Sequence, residues 1–205
     1  MYVGRIAVVG KTGSPFAAYR VSSRSFPNRV ARITGEGVVA IQPVDPSEVE
    51  KSPYIAYNCI RVSKRGVVVS NGSHTDPIYE ALQAGRAPEQ ALAGVLAEMG
   101  YEHDQYNTPR IAGIVTPDRG YLGIIRADGL DVDSFLLRDG FCRVICTYEL
   151  NQIEEKDYPF CAVNAEEAAK YVVHGGFFDT LDQPICSAAW LGGELAAYNP
   201  GEGVE

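Results

Sequence analysis

Strand-like segments fall into two blocks separated by a stretch of helical periodicity, and this order limits the folds that the chain can adopt. Residues 1–70 and 110–148 consist of short β-branched or alternating runs, separated by turns rich in glycine, proline and asparagine. Strands followed by helices are typical of an α+β fold rather than of a doubly wound parallel sheet. The predicted strands are Arg5–Val9, Ala17–Ser23, Arg29–Thr34, Val38–Val44, Tyr57–Ser63, Val67–Ser70, Arg110–Thr116, Tyr121–Arg126, Val132–Leu137 and Cys142–Tyr148.

Three segments have the apolar spacing of amphipathic helices. The third begins at Asn164 as the capping residue, with Glu167 three positions later, which is the pattern of a capping box. Two sheets packed face to face with the helices outside would accommodate this order, and we predict one domain over residues 1–205 because we find no repeat and no linker. Only a short tail with a frayed Gly/Glu end is expected after the third helix. The predicted helices are Asp76–Ala84, Glu89–Met99 and 164–173.

The charge of the chain is divided unevenly along its length. The 205 residues have a formal net charge of −8, which argues against a protein that coats nucleic acid or an anionic membrane. Residues 1–65 nevertheless carry +6 and residues 66–205 carry −14. This division indicates either an anion-binding site inside an acidic protein or a chance cluster of solvated charges.

The pattern Val9-Gly10-Lys11-Thr12 resembles the end of a phosphate-binding P-loop, but its surroundings do not fit. That motif has four residues between its first glycine and the Gly-Lys pair, whereas five residues separate Gly4 from Gly10, and Pro15 falls where the following helix should continue. We therefore predict a hairpin turn here.

Cysteine and apolar patterns exclude several classes of protein. The five cysteines include no C-x-x-C pair, and no His or Cys cluster has the spacing of a metal site, so we expect buried thiols and no metal. No apolar run is long enough for a signal peptide or a membrane-spanning helix. These features predict a cytoplasmic protein.

Residues 20–29 are more polar than a structural strand requires. Alternation puts Arg20, Ser22 and Arg24 on one face, and guanidinium groups with hydroxyls between them suit a phosphate dianion. An exposed polar edge strand is the alternative. A second polar stretch, which we call the second group, covers residues 57–61.

Within that second group, Tyr57, Cys59 and Arg61 are predicted to share one face of a strand. Such a face can form a polar site. Equally, Cys59 can belong to the core while Arg61 forms a salt bridge.

Two further polar stretches flank the predicted helices. Residues 70–76 form either a plain capping loop or a polar site that uses the free N–H groups at a helix start. Residues 101–110 contain Glu102, His103 and Asp104, which are acid–base groups or simply solvated charges.

Together these stretches resemble the archaeal-type IMP cyclohydrolase family. The motifs occur in the correct order over residues 1–111, and the remainder matches more loosely. The residues that carry the resemblance are Met1-Tyr2-Val3-Gly4-Arg5-Ile6, Ser22-Ser23-Arg24-Ser25-Phe26-Pro27-Asn28-Arg29, Ile55-Ala56-Tyr57-Asn58-Cys59-Ile60-Arg61, Ser70-Asn71-Gly72-Ser73-His74-Thr75-Asp76 and Asn107-Thr108-Pro109-Arg110-Ile111.

The resemblance implies a specific reaction. The carboxamide nitrogen of 5-formamidoimidazole-4-carboxamide ribotide attacks the formyl carbon, and loss of water gives inosine 5′-monophosphate without a cofactor. It also implies a homotetramer and a four-layer αββα sandwich similar to the N-terminal-nucleophile hydrolases. Tyr57, Glu102 and Arg29 are implied to be catalytic. The implied substrate-binding residues are Arg20, Ser22, Arg24, Asn28, Asn58, Cys59, Arg61, Asn71, Gly72, Ser73, His74, Asp76 and Arg110.

Two alternative functions fit the same sequence. One is an amidohydrolase on the same scaffold with an unusual nucleophile such as Cys59, because Met1 and Tyr2 cannot supply the N-terminal Cys, Ser or Thr of that fold. The other is a purine-nucleotide-binding protein without catalysis, in which Tyr57 and Glu102 would be dispensable.

Overall fold

The computed structural model describes residues 1–50 and 53–201, and regular secondary structure accounts for most of them. The helices of this part of the chain are α1 (Thr75–Gln83), α2 (Pro88–Met99) and α3 (Ala165–His174), with short 3-10 helices at Pro46–Glu50, Pro53–Ile55 and Gly176–Thr180. The strands are β1 (Arg5–Thr12), β2 (Ser14–Ser22), β3 (Arg29–Gly35), β4 (Val38–Pro43), β5 (Tyr57–Ser63), β6 (Gly66–Ser70), β7 (Arg110–Val115), β8 (Arg119–Arg126), β9 (Gly129–Leu136), β10 (Phe141–Cys146), β11 (Tyr158–Pro159), β12 (Pro184–Leu191) and β13 (Glu194–Tyr198).

These strands form two antiparallel sheets. The seven-stranded sheet is a simple meander from β3 to β9, in which each strand pairs with the next and α1 and α2 are inserted between β6 and β7. The six-stranded sheet has the order β11-β10-β1-β2-β12-β13, so it joins the first strands of the chain to the last. The α+β class that the sequence predicts is confirmed.

The main core lies between the two sheets. Ala7, Val9 and Tyr19 of the six-stranded sheet pack there against residues of the seven-stranded sheet. Gly113 allows close contact between the sheets, because a Cβ atom at this position would lie 2.9 Å from Cγ1 of Val9. A second cluster packs α3 on the outer face of the six-stranded sheet, and a third packs α1 and α2 on the outer face of the other sheet.

Local predictions from the sequence agree with the structure at one turn and one helix cap. Gly10, Lys11 and Thr12 lie in β1, and Gly13 at φ +69° makes the tight turn into β2, so the predicted hairpin is confirmed. The side chain of Asn164 accepts a hydrogen bond from the Glu167 N–H at 2.8 Å and caps α3 as predicted.

The sequence prediction missed three strands, the two-residue β11 and the longer β12 and β13. β12 and β13 lie in the segment after α3, where only a short tail was expected. Small residues dominate β12, so its strand propensity is low, but the Gly192-Gly193 pair between the two strands has positive φ at both positions, as hairpin turns require. The expected frayed Gly/Glu end is at residues 202–205, outside the described residues. No helix in the described ranges is long and apolar enough to cross a membrane.

Candidate active site

A cavity of about 330 Å³ opens at one end of the sandwich, where loops from both sheets meet. Its charged lining residues are Arg5 at the start of β1, Arg29 at the start of β3, and Glu102 and Asp104 in the α2–β7 loop. Its walls also contain the aromatic rings of Tyr2, Phe26, Tyr54, Tyr106 and Tyr148. The cavity is therefore large enough for a small planar ligand and has both cationic and acidic groups.

The loop that carries Glu102 is fixed by its own hydrogen bonds. The backbone N–H of Glu102 donates to the Thr108 carbonyl at 2.8 Å. Asp104 accepts from the Thr108 N–H at 2.9 Å, from the Thr108 hydroxyl at 2.7 Å and from the Tyr106 N–H at 3.1 Å. Asp104, which the sequence offered as an acid–base group, thus holds the loop, and Glu102 projects from a defined backbone.

The Glu102 carboxyl is 1% exposed and lies between two arginines. Its Oε2 is 3.4 Å from Nη2 of Arg5, and its Oε1 is 3.6 Å from Nη1 of Arg110. Burial raises the pKa of Glu102 to about 7, although Arg5 and Arg110 each lower it. Both protonation states are therefore populated near neutral pH, which suits a group that accepts and returns a proton.

The Arg29 guanidinium has one buried hydrogen-bond donor without a partner among the described residues. The residue is 4% exposed, and its Nε donates to the Phe26 carbonyl at 3.1 Å. Its Nη2 is buried without a hydrogen-bond partner among the described residues. Because a buried unpaired donor is costly, this atom is available to an acceptor on a ligand in the cavity.

Tyr57 lies close to Arg29 and Arg5, although it is not itself a lining residue of the cavity. Its hydroxyl is 2.7 Å from the hydroxyl of the fully buried Tyr19. Burial raises the pKa of Tyr57 to about 12, while the nearby Arg29 and Arg5 lower it. At neutral pH Tyr57 is therefore a phenol, which can donate a proton.

Arg20 and Ser22 are not brought to this cavity. They share a face of β2, as predicted, but it is the outer face that packs on α3, because Tyr19 and Val21 occupy the inner face. The guanidinium of Arg20 donates to the carbonyls of Val172, Val173, Phe178, Leu181 and Asp182. Arg20 therefore connects β2 to the end of α3 and to the segment after it.

A β-bulge separates the polar residues of β5. Val39 pairs with Ile60 and Ala40 with Asn58, so Cys59 is the extra residue. Tyr57 and Cys59 consequently lie in the core between the sheets, whereas Arg61 turns to the other face, and the predicted common face is wrong for Arg61. Asn58 and Arg61 both bind the Asp76 carboxylate at the start of α1, away from the cavity.

The polar segment before α1 is bound to the start of β7. Asn71 accepts from the Ile111 N–H at 2.7 Å and donates to the Pro109 carbonyl at 3.0 Å. Gly72 and His74 adjoin Arg110 and Glu102, so two of the segments selected from the sequence meet here. Ser73 is exposed, as are Arg24 and Asn28 in the β2–β3 loop, where the Arg24 guanidinium lies 4.2 Å from the ring centre of Tyr2.

Comparison with known proteins identifies the family of the chain. A model of the family described as IMP cyclohydrolase-like protein matches residues 2–194. The chain belongs to this family. It is 47% identical to a protein named IMP cyclohydrolase from Methanocella arvoryzae, over 92% of this chain and 91% of the relative. Proteins of the same name from Methanocaldococcus jannaschii and Methanothrix thermoacetophila are 46% and 44% identical, over 92% and 98% of this chain and 92% and 100% of the relatives.

In this IMP cyclohydrolase-like chain, sequence reasoning did not select several residues in and next to the cavity, among them Arg5, Tyr19 and Tyr148. Arg5 enters the sequence analysis only within a motif, although an arginine at the start of an otherwise apolar strand is itself an indication of a polar site. Tyr19 shares its face of β2 with the apolar Ala17 and Val21 and has no signal of its own, and Tyr148 is the last residue of a predicted strand. The residues described contain no group of three or more His, Cys, Asp or Glu side chains that could hold a metal ion.

Proposed function

We propose that this protein is an IMP cyclohydrolase, which closes the ring of 5-formamidoimidazole-4-carboxamide ribotide to give inosine 5′-monophosphate and water. The reaction is the last step of IMP synthesis. The observation that carries the proposal is the buried Glu102 carboxyl, held between Arg5 and Arg110 in the wall of a ligand-sized cavity. Membership of the family supports the same activity. Conversion of the formamido substrate to inosinate by the purified protein, followed by absorbance, is the direct test.

Binding of the substrate uses the basic residues at the cavity. Arg24 is exposed and stacks on Tyr2, a residue of the cavity wall, so Arg24 binds the 5′-phosphate at the mouth. The base then lies inside, near Glu102. The unpaired Nη2 of Arg29 donates to the formyl oxygen and stabilises the negative charge that develops there.

The chemistry is a proton exchange around one new C–N bond. The carboxamide nitrogen attacks the formyl carbon while the Glu102 carboxylate removes a proton from that nitrogen, and the formyl oxygen takes a proton from the Tyr57 phenol. Protonated Glu102 then gives its proton to the departing hydroxyl, which leaves as water. The formamido N–H proton returns to Tyr57 as the ring double bond forms, so both residues regain their starting states.

Replacing Tyr57 with Phe tests its part in this exchange. We expect kcat to fall about 10²-fold, because the phenol that protonates the formyl oxygen is lost, while KM changes little. Steady-state turnover by absorbance measures both constants. Tyr79→Phe on α1, where the ring stacks with Arg61 outside the cavity, is the matched control. Near-normal kcat in Tyr57→Phe would remove Tyr57 from the mechanism.

The pH profile tests the protonation state of Glu102. The reaction starts from the carboxylate, and the pKa of Glu102 is raised to about 7, so kcat/KM should rise with pH through a midpoint near 7. The profile is measured between about pH 5 and pH 9. The substrate phosphate also titrates, with a pKa of about 6. Glu102→Gln is therefore the control, because its kcat/KM should retain only the pH dependence that comes from the phosphate. An unchanged profile in Glu102→Gln would assign the limb to another group.

The amidohydrolase alternative has little support at its candidate nucleophile. Cys59 is fully buried in the core between the sheets. Burial raises the pKa of its thiol well above the ordinary value, so the reactive thiolate is not formed.

Four broader features belong to the same proposal. The chain forms a single domain, with the scaffold of the N-terminal-nucleophile hydrolases, in a cytoplasmic homotetramer. The helix, sheet, sheet, helix order supports the scaffold, and the core shared by both sheets supports a single domain. Light scattering of the purified protein measures the oligomeric state, and one cooperative unfolding transition is expected for one domain.

A further inference from the structure

We propose that His74 is a positioning residue for the reaction, which holds the Arg110 guanidinium beside the Glu102 carboxylate by accepting a hydrogen bond at Nδ1. This inference rests on the proposed function for its catalytic meaning. The arrangement of the three side chains is visible without it. Sequence resemblance had suggested a direct substrate contact for His74, whereas this role acts through Arg110 and Glu102.

The hydrogen bonds of His74 determine which nitrogen carries the proton. The side chain is fully buried, and its Nε2 lies 2.9 Å from the Ile111 carbonyl oxygen. A carbonyl can only accept, so Nε2 carries the hydrogen. Burial lowers the pKa of His74 to about 3, so the ring stays neutral and Nδ1 keeps its lone pair. Arg110 has only donors and lies with Nη1 3.5 Å from this nitrogen.

Arg110 is shared between His74 and Glu102. Its Nη1 is 3.5 Å from Nδ1 of His74 and 3.6 Å from Oε1 of Glu102. Its Nε is buried without a hydrogen-bond partner among the described residues, so the guanidinium is held at Nη1 and not at Nε. The acceptor on His74 therefore decides where the charge of Arg110 lies.

Gly72 leaves the space in which these groups meet. A Cβ atom at this position would lie 2.9 Å from Nη1 of Arg110, 3.2 Å from Oε1 of Glu102 and 3.2 Å from Nδ1 of His74. All three functional atoms converge on the same point. Any larger residue at this position must displace at least the guanidinium.

The position of Arg110 affects the proton affinity of Glu102. Three cations face the carboxyl and lower its pKa, namely Arg5, Arg110 and Arg29, while Asp104 raises it. If Arg110 moves away, the carboxylate loses one of these favourable charges and its pKa rises. A larger share of the enzyme is then protonated at neutral pH and cannot start the reaction.

Two substitutions separate the two hydrogen bonds of His74. His74→Gln can still donate to the Ile111 carbonyl, because its amide nitrogen reaches the place of Nε2, but it has no acceptor at the place of Nδ1. His74→Asn has an oxygen at the place of Nδ1 and loses the bond to Ile111. A positioning role predicts that Gln disturbs Glu102 and Asn preserves it, whereas a purely structural role predicts no such difference.

The experiment follows the Glu102 carboxyl directly. Carbon-13 labelling of the glutamate carboxyls, with Glu102→Gln to assign the signal, gives the pKa of Glu102 by NMR in the free protein. We expect His74→Gln to raise it by about one unit and His74→Asn to leave it within about 0.2 units of wild type. Turnover by His74→Gln should fall about fivefold at pH 7 and recover at higher pH, as a one-unit shift requires.

Gly72→Ala provides a second route to the same displacement and should also raise the pKa of Glu102. The proposal is overturned if His74→Gln folds and leaves this pKa unchanged, or if His74→Asn raises it equally. Should His74→Gln fail to fold, an unchanged pKa in Gly72→Ala would overturn it instead. Absence of turnover in the wild-type protein would refute the proposed function alone, because the NMR titration does not depend on activity.

Discussion

Glu102→Gln should abolish most of the turnover, with kcat lower by about 10²–10⁴-fold and the affinity for inosinate largely retained. The amide fills nearly the same space between Arg5 and Arg110, so the cavity keeps its shape, but it can neither remove the carboxamide proton nor protonate the departing hydroxyl. Steady-state kinetics and binding of inosinate by calorimetry measure the two effects separately. Glu98→Gln, an exposed position near the end of α2, is the matched control.

We expect Glu102→Gln to remain folded, so that its lower kcat reflects lost chemistry. The reason is that the fold favours the uncharged form of the Glu102 carboxyl. Burial raises the pKa of this carboxyl from 4.5 to about 7 in the folded protein, so the fold favours its protonated form. Ionisation therefore destabilises the fold progressively as the pH rises from about 4.5 to about 7. Glu102→Gln removes the ionisable group, and at about pH 8 the variant should melt no lower than the wild-type protein.

Other outcomes distinguish the alternatives. Near-normal kcat in Glu102→Gln would exclude this residue as the acid–base group. If the wild-type protein bound inosinate without any turnover of the formamido substrate, the protein would be a nucleotide-binding protein, which the sequence alone also allows. Retained catalysis with a lower melting temperature would indicate that the carboxylate is a structural ion-pair partner of Arg5 and Arg110 instead.

Local chemistry explains which parts of the fold could be predicted. The Gly13 turn and the cap of α3 depend on residues within a few positions of each other, and both are confirmed. The bulge at Cys59 depends on the pairing of β5 with β4, which alternation along one strand does not reveal. A single extra residue moved Arg61 to the opposite face.

The candidate site depends on contacts across long stretches of chain. The polar segments were recognised as unusual, but Glu102 could equally have been a solvated loop residue, because its partner Arg5 is 97 residues away in sequence. Burial between two arginines is what gives this carboxyl its raised pKa, and burial at that distance follows from how the two sheets pack. The sequence therefore identifies Glu102 as a candidate acid–base residue but does not predict its burial or its two arginine partners.

Arg20→Met should destabilise the protein strongly, by about 3–5 kcal/mol in the free energy of unfolding. The fully buried guanidinium donates to the Phe178 and Leu181 carbonyls, each at 2.7 Å, and to the Ser22 hydroxyl at 3.0 Å. Methionine fills much of the volume but donates nothing, so carbonyls at and beyond the end of α3 lose a charged donor in the protein interior. Denaturant unfolding followed by circular dichroism measures the loss.

Arg24→Met is the control that distinguishes the role of Arg24, in the β2–β3 loop, from that of Arg20 in β2. Arg24 is exposed, so the same substitution should change stability by less than about 0.5 kcal/mol, while KM rises because the phosphate loses its cation. Arg20→Lys should fall between Met and wild type, since one ammonium cannot reach all the carbonyls that a guanidinium reaches. If Arg20→Met kept wild-type stability and raised KM instead, Arg20 would belong to the nucleotide site as its spacing in the sequence predicts. Because Arg20 is buried under α3 and donates to carbonyls at and beyond its end, we expect instead that Arg20 stabilises the fold and that Arg24 binds the substrate.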